Sequence, residues 1–141
     1  NIVPASNWRL SNAKSFRYVQ SPGTFNSLGM VKIIFPNRFS VYLHDTNHRD
    51  YFDKIDRSLS SGCVRVDNPL ELTEYLLDDT VNWNLEKITE ILQNEKTKFV
   101  KIKKEISFQL LYWTAWSENN KLIFRDDIYN LDADLYSKLG N

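Results

Sequence analysis

The chemistry this sequence can perform concentrates at Cys63, its single cysteine, set in Ser60-Ser61-Gly62-Cys63-Val64-Arg65. A thiol that follows glycine and serines is approachable. Small neighbours also let successive backbone N–H groups turn toward one point, as the oxyanion of a tetrahedral acyl intermediate demands. A thiol is a weak nucleophile until it loses its proton, so it needs a base within about 3 Å. Two histidines are available, His44 and His48. His44 ends an alternating stretch that reads as a strand, which holds it rigidly, whereas His48 lies among polar residues and reads as solvated. His44 is therefore the candidate base. Each member of the pair has a plainer reading. A lone cysteine is in general more often a small buried apolar residue than a nucleophile, and a strand histidine is as readily a core residue satisfied by hydrogen bonds.

The neighbours of the pair offer supporting roles. Tyr42 shares a face with His44 by strand alternation and could line a donor site, although tyrosines in strands are more often simply packed. Arg65 could hold a substrate carboxylate in its planar fork; the competing reading is a structural salt bridge with a nearby acid. Arg125-Asp126-Asp127 reads as turn chemistry and ion pairing, outside the site. One cysteine and two histidines supply a zinc site poorly and exclude an internal disulfide framework. No metal or cofactor is implied.

The elements that must position these residues follow from local pattern. Residues 1–29 are rich in Asn, Ser, Pro and Gly and read as loop and short strand. Met30 to Phe35 is an apolar run stopped by Pro36-Asn37, and Phe39 to His44 alternates, so the two predict a hairpin. Residues 45–62 lack periodicity and predict a long functional loop. Asp67-Asn68-Pro69, followed by Leu70, Leu72, Tyr75, Leu76 and Leu77, predicts a helix with proline in its first turn. A second helix fits Asn82 to Gln93. Phe99 to Lys103 alternates as a strand, Ile106 to Trp116 has the composition of a buried central strand, and Asn119-Asn120 turns into a further hairpin at Leu122 to Phe124. Hairpins with helices grouped between them predict an α+β, mostly β, domain without doubly wound alternation.

At 141 residues and 42% hydrophobic, the chain has the size of one domain with its own core. Eighteen basic residues balance eighteen acidic ones, which leaves no field for nucleic acid or an anionic membrane. No apolar run approaches the roughly 18 residues of a membrane span. The sequence begins without Met, so an upstream segment is expected to have preceded it.

Set out in order, His44, fifteen residues (45–59), Ser60, one residue, Gly62 and Cys63 resembles the signature of the L,D-transpeptidase catalytic family: His, a spacer of fourteen to seventeen, Ser or Thr, His, Gly, Cys. Pro22-Gly23, Asn26, Leu28-Gly29, Val31-Lys32, Phe35-Pro36-Asn37, Tyr42-Leu43-His44-Asp45-Thr46 and Cys63-Val64-Arg65-Val66 resemble its large periplasmic branch. So do Thr114-Ala115-Trp116 and Phe124-Arg125-Asp126-Asp127-Ile128-Tyr129. The matches run from about Pro22 to Leu135. Two positions depart: Ser61 stands at the motif's second histidine, and Asn47 follows Thr46 where a proline is expected. The resemblance assigns the base role to the first histidine, His44, which implies that the dyad is left intact by the first departure.

The resemblance implies a single catalytic domain over 1–141, truncated at its N-terminus, with a β-sandwich-like fold and two or so helices after the cysteine. It implies that Cys63 attacks the bond between diaminopimelate and terminal D-alanine in a tetrapeptide stem. The thioester then passes to the amine of a second stem's diaminopimelate. The backbone N–H groups of Ser61, Gly62 and Cys63 are the candidate oxyanion hole. The carbonyl or side chain of Asp45 could orient His44; the carbonyl is favoured, because the neighbouring side chain on a strand points to the other face. Tyr42, Ser60 and Arg65 are the candidate substrate contacts. A periplasmic location and carbapenem acylation of Cys63 follow from the same resemblance. Two other readings stand beside it: an L,D-carboxypeptidase or amidase working through the same dyad, and an inactive peptidoglycan-binding module.

Overall fold

A computed structural model describes residues 2–140. Contacts group the chain into two compact units, one ending at Glu105 and the other beginning at Ile106. The first opens with short 3-10 helices at Ala5–Asn7 and Leu10–Ser15. It then forms a sheet of strands β1 (Lys32–Ile33), β2 (Leu43–His44) and β3 (Val64–Arg65), in that order. β1 runs antiparallel to β2, pairing Lys32 with His44 and Ile33 with Leu43. The turn between them is built on Asn37. Its Nδ2 donates to the carbonyls of Phe35 (3.0 Å) and Val41 (2.8 Å), and its Oδ1 accepts from the N–H of Phe39 (3.0 Å) and Val41 (3.1 Å). Pro36 lacks the N–H that would continue a ladder, so the asparagine amide closes the turn instead.

β2 runs parallel to β3, pairing Leu43 with Val64 and His44 with Arg65. Parallel neighbours cannot be joined by a tight turn and need a crossover of a dozen residues or more. The segment between His44 and β3 is that crossover, and it carries a 3-10 helix at Arg49–Asp53.

Helix α1 (Pro69–Leu77) begins at proline and ends where Asp78 turns left-handed at φ 52°, its N–H donating to the Glu74 carbonyl (3.1 Å). Helix α2 (Leu85–Gln93) is capped by Asn84, whose side chain accepts the Lys87 N–H (2.9 Å), and Glu74 of α1 accepts the Leu85 N–H (3.0 Å). Ile88 is the buried side chain of α2. The expected helix start at Asn82 falls three residues early, because the Asp79 carboxylate takes both the side-chain and backbone N–H groups of Asn82 and fixes a turn there. Those bonds from Asn82 hold the Asp79 carboxyl below its ordinary range.

The second unit holds a hairpin of β4 (Ala115–Glu118) and β5 (Lys121–Phe124), with Asn119 and Asn120 at φ 51° and 60°. Two left-handed residues at a two-residue loop make the turn whose twist matches the strands, and asparagine tolerates that conformation. Helix α3 (Asp132–Lys138) follows; the Asp127 carboxylate accepts the Asp132 N–H at its start (2.8 Å).

Helices and two small sheets make an α+β fold, with strands at 10% of the chain. Two expected strands are corrected. Residues 99–103 form none, and the strand expected over 106–116 begins only at Ala115, with Leu111 and Trp113 well exposed. Composition can favour extended backbone, but a ladder exists only where N–H and C=O groups meet a partner. β5 offers partners to four residues alone. Helix α3 is a third helix after Cys63, where two or so were expected.

Candidate active site

The parallel register decides which side chains share a face. Paired residues on adjacent strands project to the same side, and successive residues alternate. His44 therefore lies on the face of Arg65, and by the antiparallel pairing on the face of Lys32. Extending the register back by one residue sets Cys63 beside Tyr42. The approach of Gly62 to Val41, where an added Cβ would lie 3.9 Å from Val41 Cγ2, agrees with this extension. The Lys32 ammonium rests 3.7 Å from the centre of the Tyr42 ring, which puts those two on one face as well. Cys63 and His44 are thus diagonal neighbours on one side of the sheet. Strand rise and spacing put their Cα atoms about 8 Å apart.

His44 is buried, at 5% exposure. Its Nδ1 meets the carbonyl oxygen of Asp45. A carbonyl only accepts, so this contact belongs to the ring with hydrogen on Nδ1, and the neutral ring then has its lone pair on Nε2. It is the carbonyl of Asp45, and not the carboxylate, that meets the ring. The carboxylate turns the other way. Its Oδ2 accepts the Met30 N–H (2.7 Å) and its Oδ1 pairs with Arg49 (2.5 Å). It lies against Gly29, left-handed at φ +63°, where an added Cβ would come within 2.5 Å of Asp45 Cβ. His48 sits apart, exposed, stacked on Tyr51 at 4.9 Å and 4.0 Å from the Asp50 carboxylate.

The turn bearing the thiol is closed by Ser60. Its hydroxyl donates to the Cys63 carbonyl (2.6 Å) and accepts the Gly62 N–H (3.2 Å), while Gly62 adopts φ +135°, open only to glycine. Cys63 is a free, half-buried thiol. Arg65 donates to the Leu59 carbonyl (3.0 Å) and its guanidinium lies 5.2 Å from the centre of the Tyr51 ring. Its Nε is buried without a partner, and among the described residues Arg65 makes no ion pair. No group of three or more His, Cys, Asp or Glu is placed to hold a metal ion among the described residues, and no helix there is long and apolar enough to cross a membrane.

A family model described as the L,D-transpeptidase catalytic domain matches residues 1–97. The chain belongs to that family. It is also 36% identical over 138 residues to a protein of Haemophilus influenzae named "Putative L,D-transpeptidase". That alignment covers 96% of this chain and 28% of the Haemophilus protein, so the chain spans a little over a quarter of that relative's length.

In this member of the L,D-transpeptidase family, two residues of the site were not singled out from sequence. Lys32 stands on the candidate face because β1 pairs with β2, and its signal was present as the one charge interrupting an apolar strand. Arg49 reaches Asp45 from the crossover, and only the i, i+4 spacing of opposite charges at the start of a 3-10 helix could have pointed to it.

Proposed function

We propose that this chain is a cysteine-dependent peptidoglycan L,D-transpeptidase that joins two stem peptides through their diaminopimelate residues. What supports this reading, beyond the family, is a single observation: the strand register sets Cys63 diagonally beside a histidine whose Nδ1 is taken by a backbone carbonyl. Such a ring has Nε2 free to accept the thiol proton.

In the first half-reaction, His44 Nε2 takes the Cys63 proton and the sulfur attacks the carbonyl of the diaminopimelate L-centre. The tetrahedral oxyanion is met by the backbone N–H groups of Ser61 and Cys63. Gly62 joins them by exchanging its long bond to Ser60 for a stronger one to a charged acceptor. Collapse breaks the C–N bond, the imidazolium returns its proton to the leaving amine, and D-alanine departs, leaving a thioester. In the second half-reaction, His44 takes a proton from the side-chain amine of another stem's diaminopimelate. That nitrogen attacks the thioester and the thiol is restored. The covalent intermediate divides one high barrier into two.

Arg65 holds a stem carboxylate in this scheme. Its buried, unpartnered Nε favours a carboxylate ligand over an internal salt bridge, because a buried donor left unmatched costs about 1–3 kcal/mol. Tyr42 borders the donor stem, and Ser60 shapes the turn that presents the thiol. The same reading takes 1–141 as one catalytic domain of β-sandwich-like architecture, working in the periplasm.

The test is incubation with a disaccharide tetrapeptide and mass analysis of the products. A crosslinked dimer with loss of D-alanine is expected, along with a carbapenem adduct at Cys63. Cys63→Ala should abolish both, and His44→Ala should slow the reaction by about 10²–10⁴. Trimmed tripeptide alone would assign the chain as a carboxypeptidase. Binding with neither product nor adduct would mark it as an inactive wall-binding module.

A further inference from the structure

The carboxylate of Asp45 raises a question that the proposed reaction does not answer. Its side chain is only 6% accessible, yet the role given to this residue uses its backbone oxygen alone. A buried carboxylate is costly unless it is paired and hydrogen-bonded, so a position that needs only a carbonyl would ordinarily hold a neutral residue. Every polar group of Asp45 is in fact engaged. Its N–H donates to the Val31 carbonyl (2.8 Å), its carbonyl meets His44 Nδ1, Oδ2 accepts the Met30 N–H (2.7 Å) and Oδ1 takes the Arg49 guanidinium (2.5 Å).

Arg49 does more than neutralise that charge. Its other terminal nitrogen donates to the backbone carbonyl of Asp67 and lies 3.5 Å from the Asp67 carboxylate. Asp67 directly follows Val66, whose N–H donates to the His44 carbonyl (2.8 Å). One planar fork therefore joins the residue after the histidine on β2 to the chain leaving β3, at the end of the parallel pair where His44 stands. The guanidinium suits this geometry, since its donors diverge at fixed angles while an ammonium is a point charge. Arg49 is also half exposed, at 48%, so it is not a packed core residue whose loss must unfold the sheet.

We infer that Arg49 is a positioning residue. It holds the Asp45 side chain so that the adjoining carbonyl keeps hydrogen on His44 Nδ1 and leaves Nε2 for the thiol, and it clamps β2 to β3 so that His44 stays within reach of Cys63. The inference rests on reading His44 as the base.

The experiment compares the chain with Arg49→Gln and Arg49→Lys. Nitrogen-detected NMR of the imidazole reports the tautomer without any turnover, steady-state kinetics on the disaccharide tetrapeptide separate kcat from KM, and thermal melts check folding. The wild type is expected as the Nδ1–H tautomer. R49Q is expected to populate both tautomers and to lose about 10- to 100-fold in kcat, the range that holds for outer partners of metal-bound imidazoles, with KM little changed. R49K, which keeps the charge and loses the fork, should fall between them. An unchanged tautomer and unchanged kcat in R49Q would overturn the inference, as would a kcat loss that merely tracks lost folded protein. Should His44→Ala retain full activity, the reading of His44 as base fails. The tautomer arm still reports whether Arg49 controls the ring.

Discussion

Replacing Gly29 with alanine tests whether the Asp45 carboxylate is held where these contacts put it. Gly29 is left-handed at φ +63°, which costs an L-residue with a side chain about 1–2 kcal/mol. The larger effect is steric. The new Cβ overlaps the Asp45 carboxyl group and stands 2.5 Å from Asp45 Cβ, and neither belongs to a flexible chain end that could swing aside. Asp45 must move, and then the Met30 N–H loses its acceptor at 2.7 Å, worth about 1–3 kcal/mol when the donor is left unmatched. The Arg49 pair, half exposed at the arginine, adds at most about 1 kcal/mol. The total of about 2–6 kcal/mol is a large share of an ordinary domain's stability and should lower the melting temperature by about 6 °C or more. Urea denaturation of Gly29→Ala in the native and Asp45→Gly backgrounds separates the two costs. The left-handed penalty survives in both, whereas the overlap should appear as a coupling of about 1–3 kcal/mol that vanishes once the Asp45 side chain is gone. Equal losses in both backgrounds would refute the overlap and with it the placement of Asp45 on Gly29.

Other consequences are separately measurable. Arg65→Lys replaces a planar fork that has a buried, unmatched Nε with a point charge, and should raise KM for a carboxylate-bearing stem by about 10-fold or more, while a stem amidated at that carboxylate shows no difference between the two proteins. Asp127 is held below the ordinary carboxylate range first by the backbone N–H of Asp132 and then by that of Leu131. A folded value below the unfolded one means that stability is present above the unfolded value and lost as pH falls toward the folded one. Amide exchange in helix α3 should therefore speed up in wild type only in acid below the ordinary carboxylate range, whereas Asp127→Ala should exchange fast at neutral pH and gain little more in acid.

Residue chemistry was easier to read from this sequence than residue placement. Pro36-Asn37, Asn68-Pro69 and Asn119-Asn120 each specify a local geometry by side-chain bonding or a fixed φ, and each turn or helix start is found there. The strands expected over 99–103 and 106–116 rest on composition and alternation. Those signals describe a chain that could extend, without saying which other segment would complete its hydrogen bonds. Arg49 is illegible in the sequence for a similar reason, because its meaning lies in two partners at Asp45 and Asp67 that the crossover brings together.

The separation of His44 from Cys63 joins what was legible to what was not. Counted along the sequence it is only a motif spacing, and a loop of that length could return the chain in either direction. The structure returns it parallel, with His44 opposite Arg65 and Tyr42 beside Cys63. Had β3 run antiparallel through the same pair, Cys63 would lie opposite Thr46, beyond the end of β2, and the tyrosine would be out of the thiol's reach. A shift of one residue in either direction would turn the thiol to the opposite face of the sheet from the imidazole. The crossover therefore sets the distance on which the proposed proton transfer depends, and the positioning role proposed for Arg49, which bridges its start to its end, would act on that same distance.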